Sequence, residues 1–586
     1  MPARVLHRAE IAPDAAAHYY NLDGTWYPVG MGTLARLMRK LGAGLIALGH
    51  QPGDVVAIAA QTRREWVYCD LASLAVQGVT VGIYPSAADD QCADILDHTG
   101  ARFLIADSRS RCDAMIARLR ALGLDLAAIV CMDADGDATI SGIRVVGYRR
   151  LMRLGEQGEA VAAVDQRLAD ATAADAATFV YTSGTTGAPR AAMITHEAMT
   201  AAVDALASVG STADDQGFSF MSLADPVQRM MDYAGLCTGM PGAYAGDMSS
   251  VARELASIRP TVVVAAPRVF EAIHGGVAEQ IEQSSPTARR VFGWACDVGR
   301  QVSRRRRQGL DLTKALAAQY AVAKQFVFDR VNDNIGGRVR LFVSIGAPIS
   351  VDILEFFDAA NILIVEGWGM AETCGVGLVN RPDQVRFGSV GRPLPGVDVR
   401  IAADVELLLH GPQVFSGYLA DAQATVAAFT SDGYLRTGDI ASRDADGYYR
   451  IIGRAQELIV TSEGKNIAPS NLETMIKGDP RISQIVVFGD GRPYLTALIS
   501  VTDELRDELD ENQLELLVEN VVSAKNLELA RAEQIRKFRL LPHDLTEETG
   551  ELTPTLKVKR QVVAEKFAYL IEEMYSEPGP SNYSAT

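Results

Sequence analysis

Thr178-Phe179-Val180-Tyr181-Thr182-Ser183-Gly184-Thr185-Thr186-Gly187-Ala188-Pro189-Arg190 carries an apolar run straight into a loop of hydroxyls and glycines that ends on a cation. The opening Thr178-Phe179-Val180 reads as a buried strand. The loop can bring many N–H and O–H donors toward phosphate oxygens, because the glycines leave no bulky side chain in the way. A plain surface loop would explain the glycines but not the run of hydroxyls.

Working outward from this strand, short apolar runs at 55–60, 79–84, 103–106 and 128–132 are separated by segments long enough for helices. Such alternation predicts a mainly parallel sheet covered by helices on both faces. Residues 31–48 place Leu34, Leu37, Met38, Leu41 and Leu45 on one helical face, and Gly49, Pro52 and Gly53 end it. The strand pattern returns at 261–265, 339–343 and 362–365. In sheets of this kind ligands bind beyond the carboxyl ends of the strands, so chemistry is sought in the segments that follow them.

The texture changes near Gly453, after Asp-Gly turns at Asp432-Gly433 and Asp446-Gly447. The expected organisation is α/β: a large N-terminal domain of mainly parallel sheets over 1–452, a hinge at 453–456 and a small mobile α/β lid over 457–576. The lid is expected to hold strands at 485–488 and 495–501 and an amphipathic helix around 514–522. The Pro-, Gly- and Ser-rich 577–586 reads as a disordered tail.

At 586 residues the chain exceeds what one core serves, since a single core seldom grows beyond ~250 to 300 residues. Its net charge of −17 excludes a general affinity for nucleic acid, which depends on clustered Lys and Arg. The one basic run, Arg304-Arg305-Arg306-Arg307, reads as a solvated helix end. Seven cysteines without a CxxC pair argue against a disulfide framework or a zinc site and fit a cytoplasmic protein. No stretch approaches the roughly 18 uninterrupted apolar residues of a membrane span, so stable membrane insertion is not expected.

The hydroxyl loop, Thr182-Ser183-Gly184-Thr185-Thr186-Gly187 with Arg190, resembles the phosphate loop of the adenylate-forming superfamily. Further segments resemble that family's motifs in the right order. Arg259-Pro260-Thr261 through Ala266-Pro267-Arg268-Val269-Phe270-Glu271 is similar to the strand and loop beside the acyl pocket. Gly346-Ala347-Pro348 and Glu366-Gly367-Trp368-Gly369-Met370-Ala371-Glu372-Thr373 resemble the two walls around the adenine. Tyr434-Leu435-Arg436-Thr437-Gly438-Asp439 with Gly453-Arg454 resembles the ribose-binding element, and Glu551-Leu552-Thr553-Pro554-Thr555-Leu556-Lys557 the C-terminal lysine segment. The likeness is greatest to the long-chain fatty acyl-CoA synthetase branch.

The resemblance implies roles. Glu372 would hold Mg²⁺, Asp439 would accept from the ribose hydroxyls of ATP, and Arg454 would contact ribose or phosphate. Lys557, one of ten lysines, would bridge the acid and the α-phosphate, although Lys559 lies only two residues away. Gln456 would be the pivot about which the lid turns between adenylation and transfer.

Departures from the pattern bear on the substrate. Arg190 stands for the loop's lysine, Ala371 for a threonine, Trp368 for a tyrosine and Gln456 for a lysine. Asp225 and Gln228 stand where the branch has a histidine and a glutamate. A carboxylate at 225 would repel an incoming carboxylate by roughly 1 to 4 kcal/mol within ~4 Å. It reads equally as a catalytic group that orients an amine and as a helix cap.

Three functions follow. The first is an acyl-CoA synthetase-like ligase that converts a carboxylic acid and ATP to acyl-AMP and pyrophosphate and passes the acyl group to CoA. The second is an ATP-dependent diazotase, in which nitrite replaces the carboxylate and an aryl amine is the acceptor. The third is a nucleotide-binding protein that has lost activity.

Overall fold

The computed structural model describes residues 1–156, 158–182, 189–246, 248–553 and 557–576. The expected strands lie side by side in a nine-stranded sheet. Val55–Ala59 pairs in parallel with Val79–Ile83 on one side and Phe103–Ala106 on the other, and Ala128–Cys131 follows Phe103–Ala106. Ala176–Tyr181 joins Val79–Ile83 in parallel, and the chain then reverses into the antiparallel Ala191–Thr195. The hydroxyl loop therefore leaves the carboxyl end of a sheet strand. Helix Met31–Ala47 buries Leu34, Met38, Leu41 and Leu45.

A second sheet sets Val262–Ala265, Leu341–Ser344 and Leu363–Trp368 in parallel register. Their side chains on one face join Phe270, Phe328, Phe342 and Phe357 in a core of its own. Ser344 and Trp368 end their strands, so both expected adenine walls emerge at one edge.

A four-stranded antiparallel sheet of Asp398–Ile401, Glu406–His410, Leu435–Arg443 and Tyr449–Arg454 was not foreseen. Its turn at Asp444–Gly447 sets the register that places Asp439 directly across from Arg454. A single turn of 3₁₀ helix, Ala455–Glu457, follows at once and contains Gln456.

Beyond it, Ile482–Phe488, Leu495–Val501 and Ile535–Leu540 form a three-stranded sheet packed on helix Glu511–Asn526. This unit meets the large part of the chain through Lys477 with Glu271 at 3.3 Å and Lys525 with Asp352 at 3.6 Å. The tail at 577–586 lies outside the described residues.

The basic run ends helix Pro286–Arg307, as read from the sequence, but it is not merely solvated. Arg304 is bidentate to Glu355, Arg307 binds Asp358 and lies over the Phe387 ring, and Arg306 lies over Tyr320. The run fastens its helix to the second core.

Candidate active site

Four elements converge at the carboxyl edges of the two sheets. The base of the hydroxyl loop is pinned by its own backbone: the Thr182 amide donates to the Arg190 carbonyl at 2.8 Å, and the Arg190 amide to Thr182 Oγ1 at 3.3 Å. Ser183, Gly184, Thr185, Thr186 and Gly187 lie outside the described residues. Arg190 is exposed, pairs with Asp421 at 3.5 Å and lies over the Tyr418 ring.

Tyr418 in turn donates its hydroxyl to Glu372 Oε1 at 2.6 Å. Glu372 is buried in the short turn Ala371–Thr373, and its carbonyl accepts from the Phe415 amide. Among the described residues no group of three or more His, Cys, Asp or Glu side chains is arranged to hold a metal ion. One carboxylate beside a phosphate loop nevertheless suits Mg²⁺, which commonly takes one or two protein carboxylates and fills its remaining positions with phosphate oxygens and water.

Gly346, Ala347 and Pro348 form an exposed loop just past the strand Leu341–Ser344, and Gly346 has φ +93°, a left-handed value that glycine adopts without strain. Opposite, Gly369 sits so close to Gly375 that a Cβ would fall 2.1 Å from its carbonyl oxygen. Here the glycine is required by packing. Glu366 turns its carboxylate to the Gly388 amide at 2.8 Å, and burial pushes its pKa up to about 8.

Trp368 is buried at the end of its strand. Its ring packs among Leu378, Leu407, Leu409 and Tyr449, and its Nε1–H donates to Asp439 Oδ2 at 2.8 Å. Arg454 Nε takes Asp439 Oδ1 at 2.9 Å and Arg454 Nη1 donates to the Thr437 carbonyl. Asp439 is thus a buried carboxylate with a protein donor on each oxygen. Burial raises its pKa, and Arg454 opposes the rise.

Lys557 comes from the C-terminal unit. Its amide donates to Thr553 Oγ1 at 3.0 Å and its carbonyl accepts from the Thr553 amide at 2.8 Å. Burial holds its ammonium below the usual lysine range; Arg454 adds to this, while Asp225 and Asp439 oppose it. Lys557 is thus within electrostatic reach of Arg454, Asp225 and Asp439. Lys559 starts the helix Arg560–Lys566 instead, its amide bonded to the Glu551 carbonyl.

Asp225 is a helix cap, one of its two readings. Oδ1 caps the helix Pro226–Thr238 by accepting from the Val227 amide at 2.9 Å. Oδ2 accepts from Tyr84 at 3.4 Å, and the carboxylate lies within electrostatic reach of Lys557. Burial raises its pKa, opposed by the amides of Val227 and Gln228 and by Lys557. Gln228 points inward, its amide donating to Ser219 and Asp232 at 2.9 Å each.

Several supporting residues escaped the sequence reading. Tyr84 and Tyr418 are the nearest to the chemistry. Arg229, one turn along from Asp225, is fully buried and bidentate to Asp70 at 2.8 and 2.6 Å, with Thr80 and Thr178 also accepting from it. Their partners are 46 to 159 residues away, so no local pattern announces them.

Comparisons with known proteins place the chain in a family. Residues 5–419 match the model of the AMP-binding enzyme family, and 456–578 match that of the AMP-binding enzyme C-terminal domain. The long-chain-fatty-acid–CoA ligase FadD15 of Mycobacterium tuberculosis is 36% identical, covering 98% of this chain and 97% of the relative. The peroxisomal long chain acyl-CoA synthetase 6 of Arabidopsis thaliana is 29% identical over 96% of this chain and 84% of its own length. Among solved structures, the adenylation domain of a Mycobacterium chelonae carboxylate reductase superposes with a TM-score of 0.78 at 20% identity, covering 98% of this chain and 90% of that one. The anthranilate CoA ligase AuaEII with anthranoyl-AMP superposes with a TM-score of 0.74 at 18% identity, covering 96% of each chain. These matches lend no support to nitrite as the acid or an aryl amine as the acceptor. The chain belongs to the AMP-binding enzyme family and is an AMP-forming ligase of the acyl-CoA synthetase type.

Proposed function

We propose that this ligase joins a carboxylic acid to CoA through an acyl-adenylate, with Lys557, Asp439, Arg454 and Glu372 as its working residues. The observation that carries the reading is that Lys557, a half-buried residue of the C-terminal unit, lies within electrostatic reach of Arg454, Asp439 and Asp225. An acid oxygen attacks the α-phosphorus of ATP while the bond to the bridging oxygen breaks and pyrophosphate leaves. Negative charge grows on the phosphoryl oxygens, and fixed cations and hydrogen-bond donors stabilise it most where water is excluded.

In this reading Lys557 neutralises the α-phosphate and the attacking oxygen together. Asp439, held by Trp368 and Arg454, receives the ribose hydroxyls. The hydroxyl loop would cradle the β- and γ-phosphates, and Glu372 would hold Mg²⁺, which when bound would supply positive charge for the leaving pyrophosphate. The CoA thiolate then attacks the acyl carbon and AMP departs. The lid contributes Lys557 to the first step, and a turn about Gln456 withdraws it for the second.

The nature of the acid is narrowed by Asp225. A carboxylate close to the reacting centre favours acids whose own affinity does not depend on a neutral or cationic residue there.

Pyrophosphate release measured over a panel of fatty and aryl acids, with and without CoA, tests the proposal. Lys557→Ala is expected to slow acyl-AMP formation by roughly 100- to 1,000-fold, the loss typical of one transition-state donor, with the fold intact. Near-normal adenylation by that variant would remove Lys557 from its role. Turnover that needs no CoA would remove the second step.

A further inference from the structure

The carboxyl edge of the nine-stranded sheet carries a cavity that shares no lining residue with the proposed ligase site. From Val55–Ala59 the chain goes on to Val79–Ile83 on one side and then crosses to Phe103–Ala106 on the other. A crevice beyond the strand where the winding reverses is a common ligand site in such sheets. Here it encloses about 680 Å³, within the range of small-molecule sites. The strand that feeds the phosphate loop, Ala176–Tyr181, lies two places away in the sheet.

Among the described residues three arginines and three acids line the cavity, so its formal charge balances. Arg63 donates to Glu65 at 2.8 Å and to Asp133 at 2.9 Å, Arg64 to Glu65 at 2.9 Å and Arg149 to Asp135 at 3.2 Å. A guanidinium has five N–H donors, and these carboxylates take one or two from each. Arg63 and Arg64 also open helix Arg64–Ala75, which no side chain caps, and cations at that positive end favour an anion in front of it. Arg64 lies over the Tyr20 ring at 3.9 Å, and Tyr68 and Tyr148 add further flat walls. Tyr148 is only 8% exposed. Its hydroxyl lies within electrostatic reach of Arg64, Glu65 and Tyr68 and has no hydrogen-bond partner among the described residues.

We propose that this cavity binds a nucleoside monophosphate, apart from the ATP site of the proposed function. Its phosphate faces Arg63, Arg64 and the helix N-terminus, and its base lies against tyrosine. Its ribose hydroxyls donate to Asp133 or Asp135, which follow the strand Ala128–Cys131. A bare inorganic anion fits less well, because the three carboxylates repel it and it offers them no donor. Tyr68 joins the cavity to the acid side of the active site: its hydroxyl bonds to His18, whose ring packs on Tyr244 at 5.7 Å, and Tyr244 faces Asp232, the partner of Gln228. Gln228 lies on the helix that Asp225 caps, so a bound nucleotide is expected to change the affinity for the acid.

The test is calorimetry of the full chain with AMP, GMP and inorganic phosphate. AMP is expected to bind both at the ligase site and in the cavity, and GMP to fill the cavity as well, since stacking on tyrosine tolerates any base. Phosphate alone is expected to bind about tenfold more weakly than GMP. Arg64→Gln and, separately, Arg149→Glu should each weaken binding in the cavity about tenfold, while Asp439→Ala removes only the AMP of the ligase site. The Arg149 side chain is 70% exposed, so its replacement tests the site without risk to the fold. At saturating ATP, GMP is expected to change the KM for the acid about fivefold in the parent and not in Arg149→Glu. Undiminished nucleotide binding in both arginine variants overturns the proposal. So does phosphate that binds as tightly as GMP, or a KM that GMP leaves unchanged. Loss of the cavity nucleotide in Arg149→Glu upholds it even where Asp439→Ala changes nothing, a result that counts only against the ribose role of Asp439.

Discussion

The Trp368 indole N–H and the Asp439 carboxylate are joined by a 2.8 Å hydrogen bond, and Arg454 holds the other carboxylate oxygen at 2.9 Å. The bond depends on room for the indole, which Gly377 provides: a Cβ there would lie 2.9 Å from Trp368 Cζ3 and 3.0 Å from Leu409 Cδ1. Trp368→Phe keeps a ring but leaves a buried charged oxygen short of a donor. A fall in stability of about 1.5 to 3 kcal/mol in urea unfolding is expected. On the proposed ribose role, AMP affinity should fall about tenfold by calorimetry. Gly377→Ala should produce the same signature by displacing the ring, and the two changes together should cost less than their sum. Unchanged AMP affinity in both variants would mean that the indole does not orient Asp439.

Glu366 gives a pH dependence of known sign. Burial raises its folded pKa to about 8 from an ordinary 4.5, so the folded state holds a proton that the unfolded state releases. The stability contributed by that proton is full below pH 4.5 and is lost as pH climbs toward 8. Glu366→Gln carries no such penalty. The variant's advantage in urea midpoint should be small near pH 5 and exceed about 1 kcal/mol near pH 8.5. A difference that stays constant with pH would show that Glu366 does not titrate in this window.

Asp70 and Arg229 make a buried pair supported by Tyr233, whose hydroxyl also donates to Asp70. Removing one partner strands a charge, so Asp70→Ala should destabilise the protein by about 3 to 5 kcal/mol. The double change Asp70→Leu, Arg229→Met should be milder than the single one. The ordering of the two in denaturant unfolding is the measurement, and a reversed order would contradict the pairing.

Asp225 separates its two duties by substitution. Asn caps helices as well as Asp, so Asp225→Asn should leave stability nearly unchanged while Asp225→Ala costs about 1 kcal/mol. Because burial raises the pKa of this carboxyl, its charge develops later than usual as pH rises, and the KM for a carboxylic acid should climb with it. In Asp225→Asn that climb should vanish, leaving KM about fivefold lower at high pH. An identical pH profile in the two proteins would place Asp225 out of reach of the substrate.

The sheet strands at 55–59, 79–83 and 103–106 were legible because strands buried on both faces read as continuous apolar runs. The antiparallel sheet bearing Asp439 and Arg454 was not, since Arg400, Glu406, Arg436 and Arg450 interrupt its short strands with charge. Asp439 and Arg454 themselves were found by resemblance, and only the hairpin register explains why residues so spaced face each other. Tyr418 with Glu372, and Tyr84 with Asp225, are tertiary pairings 46 and 141 residues apart. The Trp368 bond to Asp439 likewise joins residues 71 positions apart, beyond the reach of any local pattern.

Two ion pairs between the C-terminal unit and the body, Lys477 with Glu271 and Lys525 with Asp352, each set a lysine of that unit against an acid of the body, and both retain water contact. Latches of this kind are worth at most about 1 kcal/mol apiece and soften as ionic strength rises. On the proposed turn about Gln456, rising ionic strength is therefore expected to loosen these two holds and to shorten the time that Lys557 stays in place.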